Sequence, residues 1–224
     1  MPNSSPHSSA ASAKLKLYHY WRSSSSWRVR TALAYKNIPY EAISVNLLNG
    51  ESESEAHLQL HAGGAVPVLV TPTQDALIES LAIIQYLETA HPAPALVPAD
   101  AVAKAKVWAL AELINAGIHP IQNLPVLDYL SDDPAVRKRW AQHWITQGLK
   151  TFEKTCLLDA KKFSFGNSLT VADLCLVPQC YNARRFDVDL SQFPRILEIE
   201  QNCLALECFQ KSHPDQFKPH DFVG

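Results

Sequence analysis

The chain has 224 residues, a formal net charge of −2, and 47% hydrophobic against 19% charged residues. These values are typical of a soluble globular protein with one large or two unequal domains, and they exclude a broad basic surface for nucleic acid or an anionic membrane. No apolar run approaches the length of a membrane span. The five cysteines form no C-x-x-C pair, which favours free thiols in a reducing cytoplasm over a disulfide framework or a metal site.

The N-terminal part alternates strand and helix signals. Residues 1–13 are rich in Ser, Ala and Pro without the apolar core of a signal peptide, and we expect a disordered tail there. From Lys14 onward, periodicity and turn residues predict strands over 15–20, 40–45, 66–70 and 76–78, and helices over 27–36, 54–61 and 81–91. The order β-α-β-α-β-β-α can close into one small mixed sheet with helices on both faces, which predicts an α/β domain over residues 14–91.

Composition changes after His91. Residues 92–98 contain three prolines and are predicted to form a stiff linker. Helical periodicity then dominates residues 99–224, with helices predicted over 101–116, 134–158, 174–181 and 194–206. Thr170 and Asp173 have the spacing of a capping box at the third of these helices. The chain is therefore predicted to combine an α/β domain with an all-helical domain.

A serine-rich segment, Arg22-Ser-Ser-Ser-Ser-Trp-Arg28, stands between the first predicted strand and the first predicted helix. Ligands of open α/β sheets bind at the carboxyl ends of strands, where helix starts offer free backbone N–H groups and a partial positive charge. Serine hydroxyls there can donate to an anion, and a thiolate benefits most because this environment lowers the pKa of a thiol. Taken alone, the segment is more simply interpreted as a flexible loop that ends in one capping serine.

Two further features extend the ligand hypothesis. Val66-Pro67 at a strand start is a candidate cis-proline, which would turn the Val66 backbone toward a peptide-like ligand; the alternative is an ordinary turn proline. Glu79-Ser80 at a helix start could meet an ammonium group and a carboxylate, or Ser80 could only cap the helix. Together the three places suggest a γ-glutamyl tripeptide whose sulfur lies at the serines.

These segments carry a family resemblance. Residues 14–37, KLKLYHYWRSSSSWRVRTALAYKN, closely resemble the N-terminal signature of zeta-class glutathione transferases, the maleylacetoacetate isomerases. Further matches follow in the same order at Val66-Pro67, ESLAIIQYLE (79–88), GIHPIQNLPVL (117–127) and LTVADLCLVPQCYNARRF (169–186). The resemblance runs from Lys14 to about Pro214. It implies the glutathione transferase fold, a thioredoxin-like N-terminal domain followed by an all-helical C-terminal domain, with glutathione as cofactor.

The resemblance also assigns roles to residues. In that family the first serine of the loop assists the glutathione thiolate, which implies Ser23 as catalytic residue with Ser24 and Ser25 beside it. The family usually has Cys at the position of Ser25, so chemistry that needs an enzyme thiol would be lost. The other implied glutathione contacts are Trp27, Val66, Pro67, Glu79, Ser80 and Asn123. Arg185 matches an arginine that meets the substrate carboxylate, and Arg22 and His119 are further candidates for that polar pocket.

The implied activity is glutathione-dependent cis–trans isomerisation of a diketo acid, from maleylacetoacetate to fumarylacetoacetate, in aromatic amino acid catabolism. Glutathione conjugation or α-halo acid dehalogenation, and isomerisation of maleylpyruvate, stay open as alternatives. A non-catalytic glutathione-binding protein is a third alternative, because of Ser25 and because His61-Ala62 stand where the family has Asn-Pro. The resemblance further implies a homodimer.

Overall fold

The computed structural model describes residues 14–220 and residue 222. The tail predicted over residues 1–13 lies outside the described residues. The N-terminal part follows the predicted order β-α-β-α-β-β-α, which is confirmed. Its strands and α-helices are β1 Leu15–His19, α1 Ser24–Tyr35, β2 Tyr40–Ser44, α2 Glu55–Leu60, β3 Val68–Val70, β4 Ala76–Ile78 and α3 Ser80–Ala90.

The strands form one mixed sheet in the order β2-β1-β3-β4. β1 pairs parallel with β2 and antiparallel with β3, so that Tyr18 near the end of β1 lies opposite Val68 at the start of β3. The carboxyl end of β1 and the amino end of β3 therefore meet at the same edge of the sheet. α1 follows the first of these ends and the Val66–Pro67 peptide precedes the second, so this edge brings both predicted ligand segments together.

Helix α1 begins three residues earlier than predicted, at Ser24 instead of Trp27. Ser23 is the N-cap, and its Oγ accepts a hydrogen bond from the backbone N–H of Ser26 at 3.2 Å. The segment is therefore the cap and first turn of a helix, where serine replaces the missing backbone acceptors. The prediction of a loop over residues 21–26 is wrong for Ser24 to Ser26, because serine favours loops and first helical turns equally.

The remainder of the described chain is helical. Its α-helices are α4 Ala101–Asn115, α5 Leu124–Leu130, α6 Pro134–Cys156, α7 Val171–Arg185, α8 Pro194–Leu204 and α9 Glu207–Ser212. The sequence does not predict α5 or α9, since seven and six residues are too few for periodicity to show. None of the helices in the described residues is long and apolar enough to cross a membrane.

Helix α7 lies at the centre of the helical region and is longer than predicted at both ends. The predicted capping box is present, because the buried carboxylate of Asp173 accepts from the N–H and the hydroxyl of Thr170 at 2.8 and 2.9 Å. The other carboxylate oxygen accepts from the N–H of Ser164 at 2.8 Å, which ties the preceding loop to the helix start. All of α7 from Val171 to Cys180 is buried, including Pro178 in its middle.

The five cysteines are free and buried, in agreement with the expected reduced thiols. Burial raises the pKa of Cys156 to about 12 and that of Cys175 to about 11. At neutral pH these thiols are therefore protonated, and they pack as small apolar side chains.

Helix α1 joins the sheet to the helical region. It packs against α3 on one side and against α7 and α9 on the other. The indole Nε1 of Trp27 donates to Ser212 Oγ in α9 at 3.1 Å, and the Ser24 hydroxyl donates to the carbonyl of Pro178 in α7 at 3.4 Å. One continuous apolar core therefore includes β1, α1 and α7.

The proline-rich segment between α3 and α4 is held by a buried ion pair. Lys36 Nζ lies 2.5 Å from Glu88 Oε1, and it donates to the carbonyls of His91 and Pro94 at 2.7 and 2.8 Å. Glu88 in turn accepts from the N–H of Leu96 at 3.1 Å. The connection to the helical region is thus fixed to the α/β part by both charges.

His19, at the end of β1, is buried in its neutral form. Its Nδ1 accepts from Arg30 at 3.2 Å, and its ring packs edge-on against Phe217 from the C-terminal segment. Burial, and secondly the charge of Arg30, lower the pKa of His19 to about 3. The folded protein therefore gains no proton at this site as the pH falls through the usual histidine range.

We expect this histidine to make folding stability dependent on pH. Below a pKa of about 6.5 the unfolded chain protonates His19 and the folded chain does not, so the free energy of unfolding falls with pH. Between pH 7.5 and 5.5 the loss from this one group is about 1 kcal/mol. Urea unfolding of His19→Gln should lack this part of the loss, whereas His143→Gln, at an exposed position, should retain it. Equal pH dependence in His19→Gln and wild type would contradict the prediction.

Candidate functional site

A cavity of about 430 Å³ lies between the α/β part and the helical region. It is enclosed by the start of α1, the loop before β3, the start of α3, the end of α4 and the turn that follows. Its lining residues are Ser25, His61, Ala65, Val66, Pro67, Glu79, Ser80, Asn115, Ala116, His119, Pro120 and Asn123. The fold therefore collects seven of the site residues predicted from the sequence, namely Ser25, Val66, Pro67, Glu79, Ser80, His119 and Asn123.

The Val66–Pro67 peptide bond is cis, as the sequence suggests. It stands immediately before β3 and places Val66 on the cavity wall. Among the described residues, neither the backbone N–H nor the carbonyl of Val66 takes part in a hydrogen bond. Both groups are therefore available to pair with an extended peptide-like ligand in the manner of an added strand.

Glu79 caps α3 with an unusual backbone conformation, φ +64° and ψ 116°. A non-glycine residue in this region is strained by roughly 1–3 kcal/mol and persists only where the surrounding structure enforces it. Its side chain is exposed at the cavity, while the next residue, Ser80, is buried at the first position of the helix. A carboxylate and a helix start thus stand side by side, which suits a ligand carrying both an ammonium and a carboxylate group.

The opposite wall contains a histidine that cannot be charged at neutral pH. Ser25 Oγ lies 3.4 Å from His119 Nδ1, and Arg28 donates to the same nitrogen at 3.3 Å. Burial, and secondly the charge of Arg28, lower the pKa of His119 to about 3. The resemblance makes His119 a further candidate for the substrate pocket; in the structure it lines the cavity together with Val66 and Glu79.

The serines at positions 23, 24 and 25 take different directions. Ser25 lines the cavity, whereas Ser23 caps α1 and keeps its own hydroxyl proton free to donate. The Ser24 hydroxyl is buried and accepts from Asn182 Nδ2 at 3.1 Å in addition to its bond to Pro178. Trp27, another predicted glutathione contact, is also buried, with its indole directed to α9.

A pair of arginines lies on the far side of the serine turn. Asn182 bonds Ser24 through its amide nitrogen and accepts from Arg185 through Oδ1 at 2.9 Å. The guanidinium of Arg22 stacks over the ring of Trp21, 5.4 Å from the ring centre. Burial, and secondly the positive charge of Arg22, lower the pKa of Arg185, which indicates that the two charges interact. Within the described residues neither arginine forms an ion pair, so both can bind an anion.

Arg184 differs from its neighbour. It makes a bidentate pair with the buried carboxylate of Glu200, at 2.6 and 2.5 Å, and that carboxylate offsets its charge. Of the two, only Arg185 is therefore free of an ion pair within the described residues.

Two residues of the site are not found by sequence reasoning. Arg28 in α1 and Asn115 at the end of α4 meet beneath the cavity, where Arg28 also contacts Ser80 and His119. The one available signal is that this arginine stands between two apolar residues, Trp27 and Val29. No group of His, Cys, Asp and Glu side chains within residues 14–220 is arranged to hold a metal ion.

The arrangement is suited to binding two anionic molecules side by side. The cavity offers backbone groups at Val66, a carboxylate at Glu79 and a buried helix start at Ser80. These fit the cysteinyl backbone, the ammonium group and the α-carboxylate of a γ-glutamyl tripeptide such as glutathione. The serine turn separates this cavity from the arginine pair, so a sulfur held at the turn would face a second, carboxylate-bearing molecule.

Comparisons with known proteins agree with this architecture. The family model "Glutathione S-transferase, N-terminal domain" matches residues 17–95. Maleylacetoacetate isomerase from Mus musculus is 44% identical over 200 residues, which cover 88% of this chain and 91% of the mouse protein.

Two solved structures are similar over nearly the whole chain. The maleylacetoacetate isomerase of Anaeromyxobacter dehalogenans with bound glutathione has 43% identity and a TM-score of 0.85, covering 92% of this chain and 97% of that protein. The holo structure of maleylpyruvate isomerase, described as a bacterial glutathione S-transferase of the zeta class, has 40% identity and a TM-score of 0.88, covering 93% and 100%. This chain belongs to the maleylacetoacetate isomerase family of zeta-class glutathione transferases.

Proposed function

We propose that the protein is a glutathione-dependent cis–trans isomerase of maleylacetoacetate. The observation that carries the proposal is the position of the serine turn, which has the cavity on one side and, on the other, two arginines that form no ion pair within the described residues. An isomerase of this kind must hold a thiolate next to the double bond of a dianionic diketo acid. Relatives named for this activity, at 44% identity in the mouse protein, support the assignment.

Glutathione occupies the cavity in an extended form. Glu79 binds its ammonium group and Ser80, with the start of α3, binds the adjacent carboxylate. Val66 pairs with the cysteinyl backbone, which directs the sulfur to the first turn of α1. At the other end of the tripeptide, His119 and Asn123 stand on the helical wall, where they can donate to the glycyl carboxylate.

Bound glutathione supplies a thiolate that adds to the cis double bond, allows rotation about the resulting single bond and leaves again, so it is regenerated. The protein holds that sulfur ionised. The hydroxyl of Ser23 donates to it, and the free N–H groups and partial positive charge at the start of α1 lower the pKa of the thiol. Arg185 and Arg22 bind the substrate carboxylates and offset the negative charge that develops during addition.

Maleylpyruvate is a second candidate substrate, because a structural relative at 40% identity is named for that isomerase. The same arginine pair accepts either diketo acid, since both present carboxylates of the same charge. Steady-state assays with both substrates, and with dichloroacetate for the dehalogenase alternative, identify the preferred one by kcat/KM. Glutathione binding without turnover of any of the three would instead support a non-catalytic binding protein.

Ser23→Ala tests the thiolate assignment. Loss of one donor to a developing anion should lower turnover tenfold or more, as is typical for donors of this kind. Ser54→Ala is the matched control, because Ser54 caps α2 through the same side-chain-to-backbone bond but lies outside the site. Both variants lose a helix cap and should be destabilised to a similar extent. Only Ser23→Ala should also lose activity, because only Ser23 lies at the site. Unchanged turnover in Ser23→Ala would remove this residue from the mechanism.

The two neighbouring arginines provide a paired test of substrate binding. Arg185→Met should raise KM for the diketo acid by roughly tenfold or more, because a charge-assisted hydrogen bond contributes about 1.5–3 kcal/mol. Its affinity for glutathione should stay within about twofold of wild type. Arg184→Met should lower the unfolding temperature, since Glu200 is left buried without its partner, and leave KM unchanged. An increase in KM for Arg184→Met alone would contradict the assignment.

We also propose the domain division 14–91, 92–98 and 99–224, and a cytoplasmic location, which free buried thiols support. The proposed assembly is a homodimer. Exposed apolar side chains on edge strand β4 and at the start of α4, Ile78 and Val102, support an interface there.

Light scattering tests the dimer. Wild type should have about twice the chain mass of 24.9 kDa. The double variant Ile78→Glu/Val102→Glu should shift the protein to the mass of one chain, because charges replace apolar contacts at the interface. Leu158→Glu, at an apolar residue exposed elsewhere, should stay dimeric. A wild type of single-chain mass at micromolar concentration would overturn the dimer proposal.

A further inference from the structure

The side chain of Arg28 lies beneath the cavity and is fully buried. Its Nη1 donates to Asn115 Oδ1 at 2.6 Å and to Ser80 Oγ at 3.2 Å, and its Nη2 donates to His119 Nδ1 at 3.3 Å. All three acceptors line the cavity. One guanidinium from α1 thus connects the start of α3 in the α/β part with the end of α4 and the following turn in the helical region.

Arg28 forms no ion pair in the described part of the chain; the carboxylate of Glu112 bonds its partner Asn115 at 3.2 Å rather than the guanidinium. Its three partners are neutral, and its Nε is buried without any hydrogen-bond acceptor. Lys36 pairs with Glu88, and Glu200 pairs with Arg184. Arg30 also lacks a carboxylate partner, but it donates to three backbone carbonyls and to His19, so that each of its nitrogens has an acceptor. A buried cation without a partner is strongly unfavourable, and the fold tolerates it beneath a cavity that is suited to an anionic ligand.

Arg28 also determines which way its partners can form hydrogen bonds. A guanidinium has donors and no acceptor, whereas a serine hydroxyl and a neutral imidazole can each act as either. Because Ser80 Oγ and His119 Nδ1 must accept from Arg28, the proton of Ser80 is free for another partner and the His119 proton resides on Nε2. The side chains of Ser80 and His119 are thereby fixed as hydrogen-bond donors toward the cavity. A carboxylate needs donors, because its oxygens accept hydrogen bonds.

We propose that Arg28 is the positioning residue of the glutathione cavity, fixing Ser80 and His119 as donors, and that the carboxylates of the bound tripeptide supply the counter-charge its guanidinium lacks. The inference rests on the proposed function, because it takes glutathione as the ligand. It goes beyond that function because it assigns a part in glutathione binding to Arg28, which does not itself line the cavity. It also means that ligand binding stabilises the junction between the two parts of the chain.

Substitution of Arg28 tests the positioning role. In Arg28→Met, the dissociation constant for glutathione measured by calorimetry should rise roughly tenfold or more, the loss expected for a charge-assisted contact. Arg28→Lys keeps the positive charge but lacks the planar set of N–H donors, so it should recover only part of the affinity for glutathione. Arg30→Met is the matched control, because Arg30 is equally buried in α1 but bonds Ser212, Tyr20 and Trp21 outside the cavity. It should bind glutathione within about twofold of wild type.

Nuclear magnetic resonance of ¹⁵N-labelled histidine gives a readout that a loss of stability would not produce. In the free wild-type protein the His119 signals should show a neutral ring protonated at Nε2, and Arg28→Met should change this tautomer equilibrium. Arg30→Met should leave the His119 signals as they are. A His119 ring protonated at Nδ1 in wild type would overturn the polarity argument.

A second design supplies the missing counter-charge and does not depend on removing Arg28. Asn115→Asp puts a carboxylate within hydrogen-bond distance of the guanidinium. Because Asn115 Nδ2 donates to the Glu112 carboxylate at 3.2 Å, this variant and its control are made in a Glu112→Gln background. Relative to Glu112→Gln alone, the unfolding temperature of the free protein should rise by several degrees and glutathione should bind at least roughly tenfold more weakly. Ala116→Asp adds the same charge to the exposed cavity edge beside it. It should not raise the unfolding temperature. Equal unfolding temperatures for the two variants would contradict an uncompensated charge on Arg28.

The outcomes separate this inference from the proposed function. If wild type does not bind glutathione, the proposed function fails. If wild type binds and Arg28→Met binds equally well in a folded state, only the positioning role of Arg28 fails. Should Arg28→Met not fold, the Asn115→Asp and Ala116→Asp pair decides the question in proteins that keep the arginine.

Discussion

Helix α1 has to satisfy two packing surfaces at once, and the arrangement of the site depends on this. One side of the helix covers the sheet and the other contacts α7 and α9, so nine of its residues, from Ser24 to Leu33, are buried. Polar side chains on such a helix must find partners inside the protein. Trp27 and Arg30 find them in the C-terminal segment, and Arg28 finds them in the walls of the cavity.

The same constraint explains why the first turn of α1 is made of serines. A helix start between two packed layers needs small side chains that satisfy backbone groups at short range. Ser23 does this as the cap, Ser24 bonds α7, and Ser25 is left facing the cavity. Three successive positions thus have three roles: capping the helix, joining the α/β part to the helical region, and lining the cavity. They can do so because successive residues of a helix point in directions about 100° apart.

Charge compensation distinguishes structural from functional ions in this protein. Lys36 with Glu88 and Arg184 with Glu200 are buried or half-buried pairs that hold segments together. Arg22, Arg185, Arg28 and Arg30 have no such partner in the described chain. Arg30 is held by backbone carbonyls and His19, whereas the other three lie around the serine turn. Uncompensated charges are costly in the folded state, so a cluster of them at one place indicates where an anion binds.

Sequence reasoning predicts the element order, the cis peptide bond and the capping box, because each has a local cause in the chain. The Val66–Pro67 motif and the Thr170–Asp173 box each depend on residues at most three positions apart, and the order of elements follows from the periodicity within each segment. It fails to find α5, α9 and the true start of α1, where short elements are held by packing against distant helices. It also misses Arg28 and Asn115, which are 87 residues apart and meet only after α4 packs on α7, the helix that also contacts α1.

The exchange of the usual cysteine for Ser25 then has a definite chemical consequence. The five cysteine thiols are buried, and burial raises their pKa, so the protein offers no thiolate of its own to a ligand at the serine turn. A disulfide between enzyme and glutathione cannot form there without a thiol at position 25. All sulfur chemistry at this site must therefore come from the bound tripeptide, and the role left to the chain is to hold that sulfur ionised and to place a dianionic acid against it. Addition and elimination, in which the thiolate is recovered, require nothing further from the protein.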